Sequence, residues 1–369
     1  SVLATLERRG AFLRERFLTF RVAVVKVLAT LTGISAGGTF GYEGPIIQIG
    51  AALTHSLGRR LGIHSENAIR TTILAGGAAS VAAAFNTPLA GIVFAIEEMG
   101  RSFEPRASGI ILTAVILAGL ITMAAFGNYD YFGTTAIHFR ALGGSQLAAV
   151  LLTGVICGAF GALAARAMLA VSTGSRSRLL AWRGRQPMLF AAVCGVLIAL
   201  IGIATHGESF GTGYNEAHRI VTGNAQGLEW FGIVKLFTML VSQISGVTGG
   251  VLAPSLAIGA GFGYDIGRLL PEVHPQAMAL LGMVGFFAGF SRSPLTGLVV
   301  VMEMTESPSM IVPLMVTALI ASGVSRWLQA SLIRAPPLPS GRPRKGRPAG
   351  PQRGVSSIFL RYHSWKCCM

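Results

Sequence analysis

The chain has 369 residues, of which 52% are hydrophobic and only 12% charged, with 30 Lys and Arg against 15 Asp and Glu for a net charge of +15. A soluble domain carries about 25% charged residues, so this composition excludes an ordinary soluble globular protein and points to a polytopic membrane protein. The four cysteines (Cys157, Cys194, Cys367 and Cys368) and seven histidines form no set at metal-ligand spacing, and no nucleophile motif such as Gly-x-Ser-x-Gly occurs. An enzyme, a resident metal or a cofactor is therefore not expected.

In chain order, the first segment carries Arg8, Arg9, Arg14, Arg16, Arg21 and Lys26, and no cleavable signal peptide is visible ahead of the apolar run that begins near residue 17. Apolar stretches follow at roughly 17–40, 69–84, 88–99, 108–126, 146–172, 188–205, 229–245, 251–264, 276–290, 294–304 and 310–328. Several are near a dozen residues, short of the ~20 that cross a bilayer as one helix. Short pieces broken by Gly and Pro are what transporters built on half-helices show. The basic pairs Arg59–Arg60 and Arg101 with Arg106, and the group Arg176, Arg178, Arg183 and Arg185, fit cytoplasmic loops. The last part, 329–369, is rich in Pro, Arg and Gly, has no acid, and reads as a disordered basic tail, unrelated to the rest or frame-shifted. Without aromatic interleaving it makes a weak nucleic-acid binder, so nucleic acid is not an expected partner.

The stretch Gly41-Tyr42-Glu43-Gly44-Pro45 places a lone carboxylate between glycines, ahead of a helix-starting proline, within an apolar sequence. An acid in such a place is costly and is read first as functional. A helix beginning there directs unpaired N–H groups and its positive dipole end at a small anion. Glu43 is itself an anion at that spot, so it competes with a bound ion and can withdraw when protonated.

Much of the first half recurs in the second. Pro45-Ile46-Ile47-Gln48-Ile49-Gly50-Ala51 parallels Pro254-Ser255-Leu256-Ala257-Ile258-Gly259-Ala260, and Pro88 through Glu97-Glu98-Met99 parallels Pro294 through Glu303-Met304. A duplicated membrane unit points to a transporter or channel whose site lies between the halves. Where the first half has Glu43, the second has Gly249-Gly250-Val251-Leu252-Ala253-Pro254, which offers backbone N–H groups without a charge. That is suited to a weak anion seat from which an ion can leave.

These residues resemble the CLC family of chloride channels and proton-coupled chloride transporters. Gly41–Pro45 is similar to its Gly-Lys/Arg-Glu-Gly-Pro motif, and Gly250–Pro254 to its Gly-Ile/Lys-Phe-x-Pro motif. Phe85 through Glu98 and Ser293 through Thr305 are similar to the helices that follow each. The resemblance implies an all-α polytopic membrane protein, an inverted repeat of tilted, partly broken helices, over residues 1–328. Repeat one covers about 1–172 and repeat two about 188–328. It implies a homodimer in the membrane lipid, each subunit with its own ion path, in the inner membrane of a bacterium. Glu43 matches the gating glutamate, Glu98 the internal proton-transfer glutamate, and Val251 and Leu252 the positions whose amides hold the central anion. Gly41, Gly44, Pro45, Gly249, Gly250, Ala253 and Pro254 complete the anion-binding set. The function implied is proton-coupled chloride exchange, with chloride and protons as the transported ions. A passive chloride channel is the alternative, and Glu98 argues against it.

Apart from the resemblance, Glu98 also reads as a solvated helix-end acid paired with Arg101 or Arg106; Glu97 and Glu303 take that plainer role. Tyr42 stands where the family has a basic residue, and Leu252 where it has phenylalanine. The family's Gly-Ser-Gly-Ile-Pro motif is absent, so the chain is expected to start downstream of it. No tyrosine lies between Tyr264 and Tyr362 to serve as the family's anion-binding hydroxyl. A further expectation is thus an inactive fragment of an exchanger.

Overall fold

A computed structural model describes residues 18–99, 105–127, 130–133, 144–172, 178–247, 249–270 and 273–333. All secondary structure among them is helical apart from one isolated bridge. The elements are α1 (Phe20–Ser35), α2 (Glu43–Arg60), α3 (Glu66–Phe85), α4 (Pro88–Phe94) and α5 (Pro105–Phe126), with a π-helical turn Ala95–Met99 closing α4. They continue as α6 (Gly144–Ser172), α7 (Arg178–Arg185), α8 (Pro187–Ala204), α9 (Tyr214–Val221) and α10 (Phe231–Ser245). The last are α11 (Leu252–Leu269), α12 (Pro275–Ser291), α13 (Pro294–Met304) and α14 (Ile311–Ile333), the last led by a short 3-10 turn at Pro308–Met310.

Each expected apolar run holds a helix, although the run at 17–40 ends in a non-helical segment after Ser35. Among the described residues, five stretches are long and apolar enough to cross a membrane: Glu66–Phe85, Ser108–Phe126, Gly144–Ala170, Pro187–Ala204 and Pro308–Ala330. The apolar helices Phe231–Ser245, Pro275–Ser291 and Pro294–Met304 are shorter, in line with the broken-helix expectation. Three expectations shift. Residues 329–333 belong to α14 rather than to a tail. Arg59 and Arg60 end α2, and Arg178, Arg183 and Arg185 lie on the short α7, rather than in loops. Pro45 and Pro254 both sit third in their helices rather than first, with Glu43 and Leu252 leading. Residues 1–17, with Arg8, Arg9, Arg14 and Arg16, and residues 334–369 lie outside the described residues.

The same turn chemistry recurs in both halves. α3 ends on Asn86 and α12 on Arg292, each in the left-handed region (φ 54° and 60°), and the next helices begin at Pro88 and Pro294. Proline supplies a helical φ where no N–H partner exists. The halves also grip each other reciprocally. Glu97, in the turn closing α4, accepts from the N–H groups of Thr296 (2.6 Å) and Leu295 (3.3 Å) and from the Thr296 hydroxyl (2.8 Å), at the start of α13. Glu303, near the end of α13, accepts from the N–H groups of Ala90 (2.6 Å) and Leu89 (3.0 Å), at the start of α4. An exchange in which each partner does to the other what it receives is the mark of a two-fold relation.

The core centres on α11 and α12, which are buried along most of their length. They meet through glycine: a Cβ on Gly259 would lie 2.7 Å from the Met283 Cα and 2.4 Å from the Gly282 carbonyl oxygen. Close backbone approach through small residues is how helices pack where lipid removes the hydrophobic drive.

Candidate ion-path site

Glu43 is the first residue of α2, and its side chain is buried, 4% exposed. Its Oε1 accepts the backbone N–H of Ala253 at 2.7 Å, in the first turn of α11. The carboxylate thus sits on the positive, donor-bearing end of the second repeat's helix, where a small anion would bind. Oε2 has no hydrogen-bond partner among the described residues. The carboxylate is thus held at Oε1 by the Ala253 N–H.

Gly41 and Gly250 bring the two helix starts together. Each donates its N–H to the other's carbonyl, at 2.8 and 2.7 Å, forming a single antiparallel bridge. A Cβ on either glycine would overlap the Glu43 carboxylate. Both must therefore be glycine for the carboxylate to lie between them. Gly249 flanks the bridge against the ring of Phe40, and Val251, Leu252, Ala253 and Pro254 are all buried. Gly44 and Pro45 follow Glu43 in the first turn of α2.

The donor that meets the Glu43 carboxylate is Ala253, which follows Val251 and Leu252, the residues whose amides were expected to hold the central anion. With α11 beginning at Leu252, Ala253 is its second residue, and an N–H in the first turn has no carbonyl one turn earlier in the helix to bond. Tyr42, the N-cap residue of α2, directs its hydroxyl to that of Tyr131 and stacks on Phe85 (centroids 5.8 Å).

Glu98 lies in the π-helical turn, half-buried, and accepts a hydrogen bond from the hydroxyl of Ser293, the N-cap residue of α13. Neighbouring carboxylates thus meet the same helix start: Glu97 takes the N–H groups of Leu295 and Thr296, and Glu98 the hydroxyl of the N-cap residue. Arg101 and the side chain of Arg106 lie outside the described residues.

Sequence reasoning passed over Ser293, Tyr131 and the fully buried Lys235. For Lys235 a signal existed: it precedes Pro254 by the same number of residues as Lys26 precedes Pro45. In α1, Lys26 donates to Oε1 of the buried Gln48 at 3.4 Å.

A family model described as "Voltage gated chloride channel" matches residues 2–326. The chain belongs to this family. A relative named H(+)/Cl(-) exchange transporter ClcA, from Yersinia pestis bv. Antiqua (strain Angola), is 32% identical over 320 residues, covering 84% of this chain and 66% of the relative. One of the same name from Salmonella paratyphi A is 31% identical over 319 residues, covering 84% and 67%. The chain thus spans about two thirds of the length of the curated relatives it matches.

Among solved structures, a CLC-type fluoride/proton antiporter superposes with a TM-score of 0.76 at 21% identity, covering 88% of this chain and 78% of the other. A slow cyanobacterial Cl-/H+ antiporter gives 0.70 at 24% identity, covering 90% and 85%. These likenesses establish the fold, a CLC architecture, which the described residues build from helices.

Proposed function

We propose that the chain carries out proton-coupled chloride exchange across the membrane. The observation that carries this reading is the Glu43 carboxylate seated on the Ala253 N–H at the start of α11. Deprotonated, Glu43 fills the position a chloride ion would take, since both are anions drawn to the same helix end. Protonation removes its charge, and the hydrogen bond loses its charge-assisted part. The neutral side chain then leaves, and chloride takes the N–H groups of the α11 start. One residue thereby links the arrival of a proton to the passage of an anion.

Glu98 is the proposed internal proton-transfer group, held by Ser293 where α13 begins. Gly41, Gly44, Pro45, Gly249, Gly250, Val251, Leu252, Ala253 and Pro254 form the proposed anion-binding frame. Relatives named as H(+)/Cl(-) exchange transporters support this assignment over a passive channel. The inner membrane of a bacterium is the proposed location. A second copy of the chain is the proposed partner, tested by the mass of the detergent-solubilised particle.

Flux in liposomes tests the function. A chloride gradient is expected to drive uphill proton movement, and Glu98→Val is expected to abolish that movement while chloride still flows. Proton pumping that persists in Glu98→Val removes Glu98 from the path. Chloride flux with no proton movement in the parent protein makes it a channel.

A further inference from the structure

Lys235 has no exposed surface, yet the ion path as described above does not use it. An ammonium group away from water needs acceptors for all three of its protons. It has them: Nζ donates to the carbonyl oxygens of Ser209 (2.8 Å), Phe210 (2.8 Å) and Gly211 (3.0 Å). The ring of Phe231 lies 5.9 Å from Nζ, and Gly213, at φ +82°, leaves room for the Lys235 Cε. Lys235 thus fastens the loop that precedes α9 to α10.

One of those carbonyls is shared. The Thr39 hydroxyl lies 3.3 Å from the Ser209 oxygen and 3.0 Å from the Thr238 hydroxyl, and the Thr39 N–H donates to the Ser242 hydroxyl at 2.9 Å. Lys235, Thr238 and Ser242 follow one another at helical spacing, so one face of α10 serves all three contacts. Thr39 stands two residues before Gly41, in the non-helical segment that leads into α2. That segment is held by Thr39 at one end and by the Gly41–Gly250 bridge at the other. Since Glu43 meets Ala253 at 2.7 Å, a displacement of about 1 Å would take the contact out of hydrogen-bond range.

We propose that Lys235 is a positioning residue for the Glu43 gate: through the Ser209 carbonyl and Thr39 it sets where the segment Thr39–Glu43 enters α2. The proposal rests on Glu43 being the gate. Lys235 touches no transported ion. Its part is to keep the Ser209 carbonyl where the Thr39 hydroxyl needs it. A neutral apolar side chain would leave the part-buried Phe210 and Gly211 carbonyls without this donor and the buried Ser209 carbonyl with the Thr39 hydroxyl alone, and the loop would move to satisfy them.

Lys235→Met, Lys235→Arg and Thr39→Val test this in liposomes, with hydrogen exchange of the Thr39–Glu43 amides measured on the same proteins. Lys235→Met and Thr39→Val are expected to raise the chloride moved per proton several-fold. Exchange at Thr39–Glu43 should quicken about tenfold, the equivalent of losing one hydrogen bond. Lys235→Arg, which keeps the cation and its donors, should restore both. In a Glu43→Ala background, Lys235→Met should leave the chloride rate unchanged, because no gate remains to be misplaced. Parent-like coupling and exchange in Lys235→Met and Thr39→Val overturn the proposal, as does an equal loss of coupling in Lys235→Arg. If Lys235→Met does not fold, Thr39→Val decides alone. If the parent moves no protons, the exchange reading fails separately, and amide exchange with the Glu43→Ala pair still judges Lys235.

Discussion

Glu43 is held by one backbone donor at Oε1 while Oε2 has no partner among the described residues. So lightly fastened an anion can be exchanged for another. Glu43→Gln removes the charge and imitates the protonated form permanently. It is expected to pass chloride at a rate that no longer varies with external pH, with no accompanying proton movement. Stopped-flow chloride efflux together with a pH electrode checks both halves of this. Gly250→Ala puts a methyl group where the carboxylate lies. Overpacking of this kind costs about 1–3 kcal/mol, and the carboxylate is the part able to move. The variant should leak chloride without protons. In a Glu43→Ala background the added methyl should cost far less, and a double-mutant cycle on thermal stability measures the difference.

At the scale of elements, the reciprocal caps tie α4 to α13. Glu303 satisfies two N–H groups at the start of α4, and Glu97 does the same for α13 with the Thr296 hydroxyl added. Hydrogen bonds to a charged group contribute about 1.5–3 kcal/mol. Glu303→Ala should therefore lower the midpoint of thermal unfolding in detergent, and Glu303→Gln, which keeps an acceptor, should lower it less. The loop after α13 offers a pH effect. There the Glu306 carboxyl is raised above the usual range, first by a hydrogen bond with Asp130 and then by that residue's charge. A raised acid binds its proton more firmly in the folded state, so this group's contribution to stability is present at low pH and is lost as pH rises through its folded value. Asp130→Asn should flatten this fall, as midpoints measured across the acid range would show. The cap residues illustrate how far sequence reaches. Glu97 and Glu303 were legible as helix-end acids, but not as caps on the opposite repeat. A capping signal is read within about one helical turn, and these partners are two hundred residues away.

On the whole molecule, the faces left open are apolar. Ile121, Leu120 and Phe126 on α5, and Leu200, Val196 and Ile203 on α8, are exposed. Such surfaces belong against lipid or another apolar surface. The centre is the reverse, with α11 and α12 in backbone contact at Gly259 and Gly282. Gly282→Leu should separate these helices and abolish the folded protein, read as loss of the monodisperse peak in size-exclusion chromatography. Gly195→Ala on α8, where a Cβ meets nothing within 4 Å, should leave the peak unchanged.

The sequence by itself determined the class, the helices and the duplication. Burial in lipid demands long apolar helical runs, and a repeated Pro and Gly register survives as letters. It also singled out Glu43, because an acid is conspicuous where charge is costly. Only the tertiary structure decided what Glu43 touches. Its partner is the N–H of Ala253, which lies in the first turn of α11 and has no carbonyl one turn earlier in the helix to bond. The same holds for Ser293 on Glu98 and for Lys235, whose three acceptors lie on a loop more than twenty residues earlier. Composition reports what a residue costs to bury; only the approach of distant segments reports what offsets that cost.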